Sequence, residues 1–290
     1  MNLLEIAPIR NKNTIFSPWE GSCTKKPWDY QITAVIPVLD TYDSLKLCID
    51  ILRLQTIKPY IIIIDTGSLE DNLKKIESLR DQDVEVHSIK LNGVQHPSDF
   101  VAMAMDLGQS LCRTEYLYAT HSDVFLMKRN FLEHLLSICG DHILNKNKCP
   151  VIGYEMSPRQ HSDWQGMISH TASMYYLRTL DKIGFGWSMR RLASLYNLPD
   201  YKPNPMRPNW PDTEILGNII LRQYKIPTKI IGKESNFQRN QDENIDHCRS
   251  ITSGLLYSPE YYAKASEWFE DAKNQALIRI ESWKKEIDEQ

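Results

Sequence analysis

The stretch Tyr60-Ile61-Ile62-Ile63-Ile64-Asp65-Thr66-Gly67-Ser68 decides the fold. Five β-branched or aromatic residues in succession, apolar on both faces, suit a strand buried inside a parallel sheet. The Asp-Thr-Gly-Ser that follows is a turn, and a helical stretch runs from it to about Arg80. Upstream, Ile32-Thr33-Ala34-Val35-Ile36 is a short apolar strand that Pro37 ends. Leu45, Cys48, Ile49 and Leu52 then recur as one face of a helix. Downstream, Val84-Glu85-Val86-His87-Ser88-Ile89 alternates as a third strand. A helix starts near Ser98 and buries Val101, Met105 and Leu111. Tyr116-Leu117-Tyr118-Ala119-Thr120 is a fourth strand, and His121-Ser122-Asp123 follows it. Strand–helix alternation with strands this short predicts right-handed βαβ units and an α/β fold with a mostly parallel central sheet. Ligands of such sheets sit beyond the carboxyl ends of the strands.

Further along, Val151-Ile152-Gly153-Tyr154 is a strand, and Asp212 to Tyr224 is a helix burying Leu216, Ile219 and Ile220. Pro227-Thr228-Lys229-Ile230-Ile231 is a late strand. From Pro259 to about Glu289 the pattern is one long helix, with Trp268, Ala272, Leu277, Ile280 and Trp283 inward. Residues 1–30, with Pro8, Pro18 and Pro27, form an irregular lead-in packed down by Phe16 and Trp19. The expected organisation is therefore a lead-in over 1–30, a domain over 31–255 and a C-terminal helix over 256–290.

The composition excludes several classes. With 290 residues, 42% hydrophobic and 24% charged, the chain is neither disordered, collagen-like nor a long coiled coil. A net charge of −3 and a pI near 6.3 do not fit a general polyanion binder. No apolar run approaches the roughly 20 residues of a membrane helix. Met1-Asn2-Leu3-Leu4-Glu5 lacks the basic and apolar regions of a signal peptide. Cys23, Cys48, Cys112, Cys139, Cys149 and Cys248 show no CxxC spacing. They are read as reduced thiols of a cytoplasmic protein.

Three carboxylates fall at strand ends: Asp40 after the first strand, Asp65 closing the second and Asp123 after the fourth. Acidic residues are also common there as helix caps, but three around one switch point suggest a site. The segment His161 to His170 is rich in polar aromatics. Trp164, Gly166 and His170 within it, and Trp187 and Trp210 beyond it, are candidate site residues. Tryptophans are equally common in cores.

Taken in order, Ala34-Val35-Ile36-Pro37-Val38-Leu39-Asp40, Leu54-Gln55-Thr56, Ile62-Ile63-Ile64-Asp65-Thr66-Gly67-Ser68, Tyr116 to Val124 and Pro211-Asp212-Thr213-Glu214 carry a resemblance. Over roughly residues 32–255 the chain resembles the family-two glycosyltransferases with the GT-A fold. The resemblance implies a Rossmann-like GT-A domain, with a nucleotide-sugar-binding half over 31–125 and an acceptor-binding half over 150–255. It implies transfer of a sugar, with inversion, from a nucleotide-diphosphate donor to an acceptor hydroxyl. By the same resemblance, Pro37, Val38, Asp40 and Asp65 would line the base and ribose pocket. Asp65 would accept from a nucleobase N–H, which favours a UDP-sugar. His121 and Ser122 would lie by the donor. Sugar rings dock on tryptophan, so Trp164 and Trp187 would wall the acceptor or the donor sugar, with Gly166, His170 and Trp210 on the acceptor side.

The departing diphosphate needs charge neutralisation, normally by Mn²⁺ or Mg²⁺. Asp123 matches the metal carboxylate, and His247 offers the late histidine ligand of such enzymes. Arg249 beside it would pair with a phosphate. The first aspartate of the motif is His121 here, which implies either a lower metal affinity or a tilt toward Mn²⁺, an ion that accepts imidazole; His121 is equally a hydrogen-bonded loop histidine. Asp212 matches the general base, with Glu214 a second candidate, while Pro211 stands where the family has glutamate. Asp212 also reads as a plain helix cap.

Two other readings stay open: a catalytically inactive GT-A-fold binding protein, and a sugar-phosphate nucleotidyltransferase. Against the latter, Val38-Leu39-Asp40-Thr41 has neither glycine nor lysine. Residues 178–239 hold eleven Lys or Arg against five Asp or Glu. This basic block brackets Asp212 and points to a phosphate-bearing acceptor such as a glycolipid, a polysaccharide or a modified DNA base; a solvated basic face is the simpler alternative.

Overall fold

Strand β1 (Ile32–Val38) runs on through the proline expected to end it. The carbonyls of Gln31 and Val35 accept from the amides of Tyr116 and Thr120 at 3.2 and 3.3 Å. Alternation turns the nitrogen of Pro37 to that same side, past the last pair with the neighbouring strand, Val35↔Ala119. No ladder bond is lost, so proline is tolerated inside a central strand.

The structure, a computed structural model, describes residues 29–89, 97–156, 165–187, 215–235, 238–248 and 259–290. The lead-in before residue 29 lies outside these. From β1 the chain passes through α1 (Tyr42–Arg53), β2 (Tyr60–Asp65), α2 (Glu70–Glu77), β3 (Val84–Ser88), α3 (Pro97–Leu111) and β4 (Tyr116–Ala119). Next come β5 (Val124–Leu126), α4 (Phe131–Ile138), β6 (Val151–Glu155), β7 (Ser173–Tyr176) and α5 (Leu177–Ile183). The last elements are α6 (Ile215–Gln223), β8 (Thr228–Lys233), β9 (Asn240–Gln241), β10 (Ile245–His247) and α7 (Pro259–Asp288).

Seven strands form one sheet in the order β3-β2-β1-β4-β7-β6-β8. The pairs β1·β2, β1·β4, β2·β3 and β6·β8 are parallel, while β7 is antiparallel to both β4 and β6. The expected mixed α/β sheet, mostly parallel and with a long C-terminal helix, is what forms. A smaller sheet pairs β5, β10 and β9 antiparallel.

Alternation along the strands divides the core. Ile61 and Ile63 join α1, α4 and α7 on one face; Tyr60, Ile62 and Ile64 join α3 and α5 on the other. All four isoleucines of β2 are at most 1% exposed, and each such side chain contributes on the order of 1.5–3 kcal/mol. Gln55 ties two helices of the first face together. Its Nε2 donates to the Lys128 carbonyl at 3.1 Å and its Oε1 accepts from the Leu132 amide at 3.3 Å. The Gln-Thr pair therefore joins the end of α1 to the start of α4.

Several details differ from the sequence reading. Strands β5, β7, β9 and β10 and helices α4 and α5 are additional elements. Helix α6 is described only from Ile215, and Ile219 on it is half-buried, like Val101 on α3. On α7 the inward residues are Ala265, Ala272, Ala276, Ile280 and Trp283, whereas Leu277 is 46% exposed. Leu277 follows Ala276 by one position, about 100° around the helix, and so leaves the buried face. Trp268 is half-buried. Among the described residues no helix is long and apolar enough to cross a membrane. The five described cysteines are free thiols, and burial pushes those of Cys48, Cys139 and Cys248 well up.

Candidate functional site

The carboxyl ends of β1 and β2 are locked to each other by Ser68. The Asp65 oxygens accept from the amides of Gly67 and Ser68 at 3.1 and 3.2 Å, closing an Asx turn. Ser68 Oγ in turn accepts the Asp40 amide at 2.8 Å. Asp40 has φ 53°, a left-handed backbone that aspartate tolerates better than most residues. Its Oδ1 accepts from the Leu69 amide at 2.8 Å and from Asn72 Nδ2 at 3.1 Å, holding the start of α2. Asp65 is 1% exposed, and Pro37 and Val38 are buried, while Asp40 is half-buried. The structure thus gathers these four donor-side candidates at one sheet edge, with both carboxylates already employed in the turn.

At the end of β4, Ser122 Oγ lies 2.9 Å from Thr41 Oγ1, which ties this loop to the end of β1. The His121 carbonyl accepts from Cys48 Sγ on α1 at 3.6 Å. Asp123 is 5% exposed, and its Oδ1 lies 3.5 Å from Nε2 of His247, itself 4% exposed. The ladder explains this approach, since Val124 pairs with His247 and the Cys248 amide donates to the Asp123 carbonyl at 3.0 Å.

A third histidine completes the cluster. The His121 ring centroid is 4.3 Å from that of His170 and 5.6 Å from that of His247. Burial drives the His121 pKa well below the usual histidine value, aided by His170 and His247 and opposed by Asp123 and Glu234. Among the described residues, His121 Nε2 and His247 Nδ1 are buried without a hydrogen-bond partner.

This donor set is small: among the described residues no group of three or more His, Cys, Asp or Glu is arranged to hold a metal ion. A carboxylate and an imidazole 3.5 Å apart fit a cation whose remaining positions go to phosphate oxygens and water. The nitrogen donor suits Mn²⁺ better than Mg²⁺.

His170 owes its position to an irregularity in β7's approach. The chain pairs with β6 through Met156–Met167 and Ser169–Tyr154 amide–carbonyl bonds of 2.8 Å. It then leaves the ladder at Ala172 (φ 49°) before β7 begins. Gly166 is an exposed turn residue with φ 75°, and its amide donates to Glu155 Oε1 at 2.7 Å. Trp187, expected on an acceptor wall, is a core residue. It is 1% exposed, its indole N–H donates to Gln109 Oε1 at 3.0 Å, and its ring stands edge-on to Phe185 and Tyr175. Its ring stands edge-on to that of His170, with centroids 6.2 Å apart.

Trp164, Trp210, Asp212, Glu214 and Arg249 lie outside the described residues. Glu234, not singled out by the sequence, belongs to this edge. Its Oε1 accepts from Ser169 Oγ at 2.7 Å, and its amide donates to the Glu155 carbonyl. The available signal is its place immediately after β8.

No family model and no curated protein matches the chain. Among solved structures it is similar to the mannosyltransferase PcManGT from Pyrobaculum calidifontis in complex with GDP-Man and Mn²⁺. There the identity is 11%, with 89% of this chain and 77% of that chain covered, at a TM-score of 0.48. It is similar to S. aureus TarS 1-349 in complex with UDP at 12% identity, covering 54% of this chain and 50% of that one, TM-score 0.40. A third is the 4-diphosphocytidyl-2C-methyl-D-erythritol synthase from Anaerococcus prevotii, at 11% identity, 73% and 91% coverage and TM-score 0.39. The chain spans half or less of the TarS chains it matches, 50% of one and 30% of another. Similarity at this level assigns no residue a role.

Proposed function

We propose that the chain is a GT-A-type glycosyltransferase that moves a sugar from a nucleotide-diphosphate donor, a UDP-sugar, to an acceptor hydroxyl with inversion. The observation that carries this reading is the approach of Asp123 to His247 at the carboxyl edge of a mostly parallel sheet, together with the order of motifs from Ala34 to Glu214.

In this reading Asp123 and His247 would hold Mn²⁺ or Mg²⁺. When bound, the cation supplies charge neutralisation at the departing diphosphate. The turn built by Asp40, Asp65 and Ser68 borders the nucleoside, with Pro37 and Val38 beneath it. His121, kept neutral by its surroundings, presents a nitrogen lone pair rather than a positive charge. Asp212, assigned by its place in the motif, takes the proton from the acceptor hydroxyl as that oxygen attacks the anomeric carbon. Attack opposite the diphosphate gives inversion. The basic block over 178–239 favours a phosphate-bearing acceptor, whose binding would weaken steeply with salt.

The test is calorimetric titration of UDP and GDP with and without Mn²⁺, followed by NMR of the products from several nucleotide sugars. Metal-strengthened binding of a nucleoside diphosphate and an inverted product are expected. If no nucleoside diphosphate binds with or without metal, the reading is wrong. Release of inorganic pyrophosphate from a nucleoside triphosphate and a sugar phosphate would instead mark a nucleotidyltransferase.

A further inference from the structure

Neighbouring residues on a strand face opposite ways, so His247 and Asp246 on β10 look to opposite sides. His247 meets Asp123, while Asp246, 0% exposed, turns toward Arg239 and α7. Arg239 grips Asp246 with both arms of its fork, Nε to Oδ1 at 2.7 Å and Nη2 to Oδ2 at 2.5 Å. Its third nitrogen, Nη1, reaches Asp271 of α7 at 2.5 Å.

Gln241 extends the same grip. Its Nε2 reaches Asp246 Oδ2 at 3.4 Å and Gln275 Oε1 of α7 at 3.0 Å, and Gln275 Nε2 donates to Asp271 at 2.8 Å. Around this, Phe125 of β5 packs on Phe269, and Cys248 Sγ lies 3.9 Å from the Trp268 carbonyl. Arg279 also faces this region from α7, but its buried Nε and Nη2 have no partner among the described residues. Among the described residues the bidentate grip on Asp246 therefore comes from Arg239, with Gln241 beside it.

We propose that Arg239 is a positioning residue for the metal-ligating face of β10: by clamping Asp246 to α7 it fixes the strand that sets His247 against Asp123. A bidentate fork constrains orientation as well as distance, which a single ammonium cannot do. The inference rests on reading His247 as a metal ligand, and it makes the C-terminal helix part of the site's support. Supporting groups behind metal ligands typically change metal affinity by about 10- to 100-fold when altered.

Arg239→Lys keeps the charge and loses the fork, while Asp271→Asn loosens only the outer anchor. Two measurements are made on each full-length variant: Mn²⁺ affinity of the UDP-bound protein by electron paramagnetic resonance, and the His247 ring nitrogen resonances of the metal-free protein by NMR. Thermal denaturation runs alongside. A folded Arg239→Lys with Mn²⁺ affinity lowered about 10-fold or more, a shifted His247 resonance and unchanged metal-free UDP binding supports the proposal, with Asp271→Asn in between. Unchanged Mn²⁺ affinity and an unmoved His247 resonance in folded Arg239→Lys would overturn it. If the wild type binds no Mn²⁺ with UDP, the metal reading falls. The His247 resonance then decides positioning by itself, a shift upholding it and no shift refuting it. Should Arg239→Lys not fold, Asp271→Asn carries both measurements.

Discussion

Asp123 Oδ1 lies 3.5 Å from His247 Nε2 because the Cys248 amide is bonded to the Asp123 carbonyl. Backbone pairing sets the two strands side by side without needing the Asp123 carboxylate. Removing the carboxylate therefore leaves the ladder intact. Asp123→Ala should unfold near the wild-type temperature yet lose Mn²⁺-dependent nucleotide binding, with transfer reduced by roughly 10²-fold or more. Calorimetric titration with Mn²⁺ and UDP checks this, and wild-type metal dependence in the variant would refute the assignment.

Asp212→Asn preserves size and a capping oxygen, so stability should change little. Transfer should fall by about 10²- to 10⁴-fold on loss of a general base, with donor affinity held. Rate and donor-binding measurements on the same preparation separate this from a donor-binding role.

The depressed pKa of His121 has a consequence for stability. An unfolded chain takes up this proton near pH 6.5, the ordinary value, whereas the folded chain refuses it until the pH is lower. The metal-free protein should have this stability in full above about pH 6.5 and lose it as the pH falls from there through the lower folded value. In His121→Asn the denaturation midpoints should depend less on pH over that range; an identical slope would point to another group.

Helix α3 rests on β1 through a position without a side chain. A Cβ on Gly108 would stand 2.2 Å from Val35 Cγ1. Gly108→Ala should cost about 1–3 kcal/mol by overpacking, read from urea denaturation. A neutral effect would mean that α3 shifts without penalty.

Strands β1, β2 and β4 are legible as short, nearly unbroken apolar runs, β3 by its alternation and helix α1 by its helical period. Strand β7 is not, since Ser173-Met174-Tyr175-Tyr176 runs straight into helix α5 at Leu177 with no turn residue to mark its end. Its place depends on long-range pairing with Tyr116–Ala119. In the candidate site, Asp40, Asp65 and Asp123 stand out by following strands. The approach of His170 to His121 does not, because it depends on a departure from the ladder at Ala172 that no local pattern encodes. Trp187 shows the converse difficulty. Its composition suits a sugar platform, and only packing against Gln109, Phe185 and Tyr175 reveals it as core. The Arg239–Asp246 fork joins residues seven apart, yet Asp271 completes it from a helix whose docking cannot be read locally.

Strand β7, reversed between β4 and β6, also governs how the chain is built during synthesis. The block β3-β2-β1-β4 is complete once Ala119 has emerged, but the outer flank of β4 waits for Ser173–Tyr176 to arrive. Until then that flank of Tyr116–Ala119 is an open, apolar edge of the kind that recruits other chains. A nascent or truncated chain that stops short of β7 is thus the aggregation-prone species of this fold, and shielding that edge is the first task of the second half of the molecule.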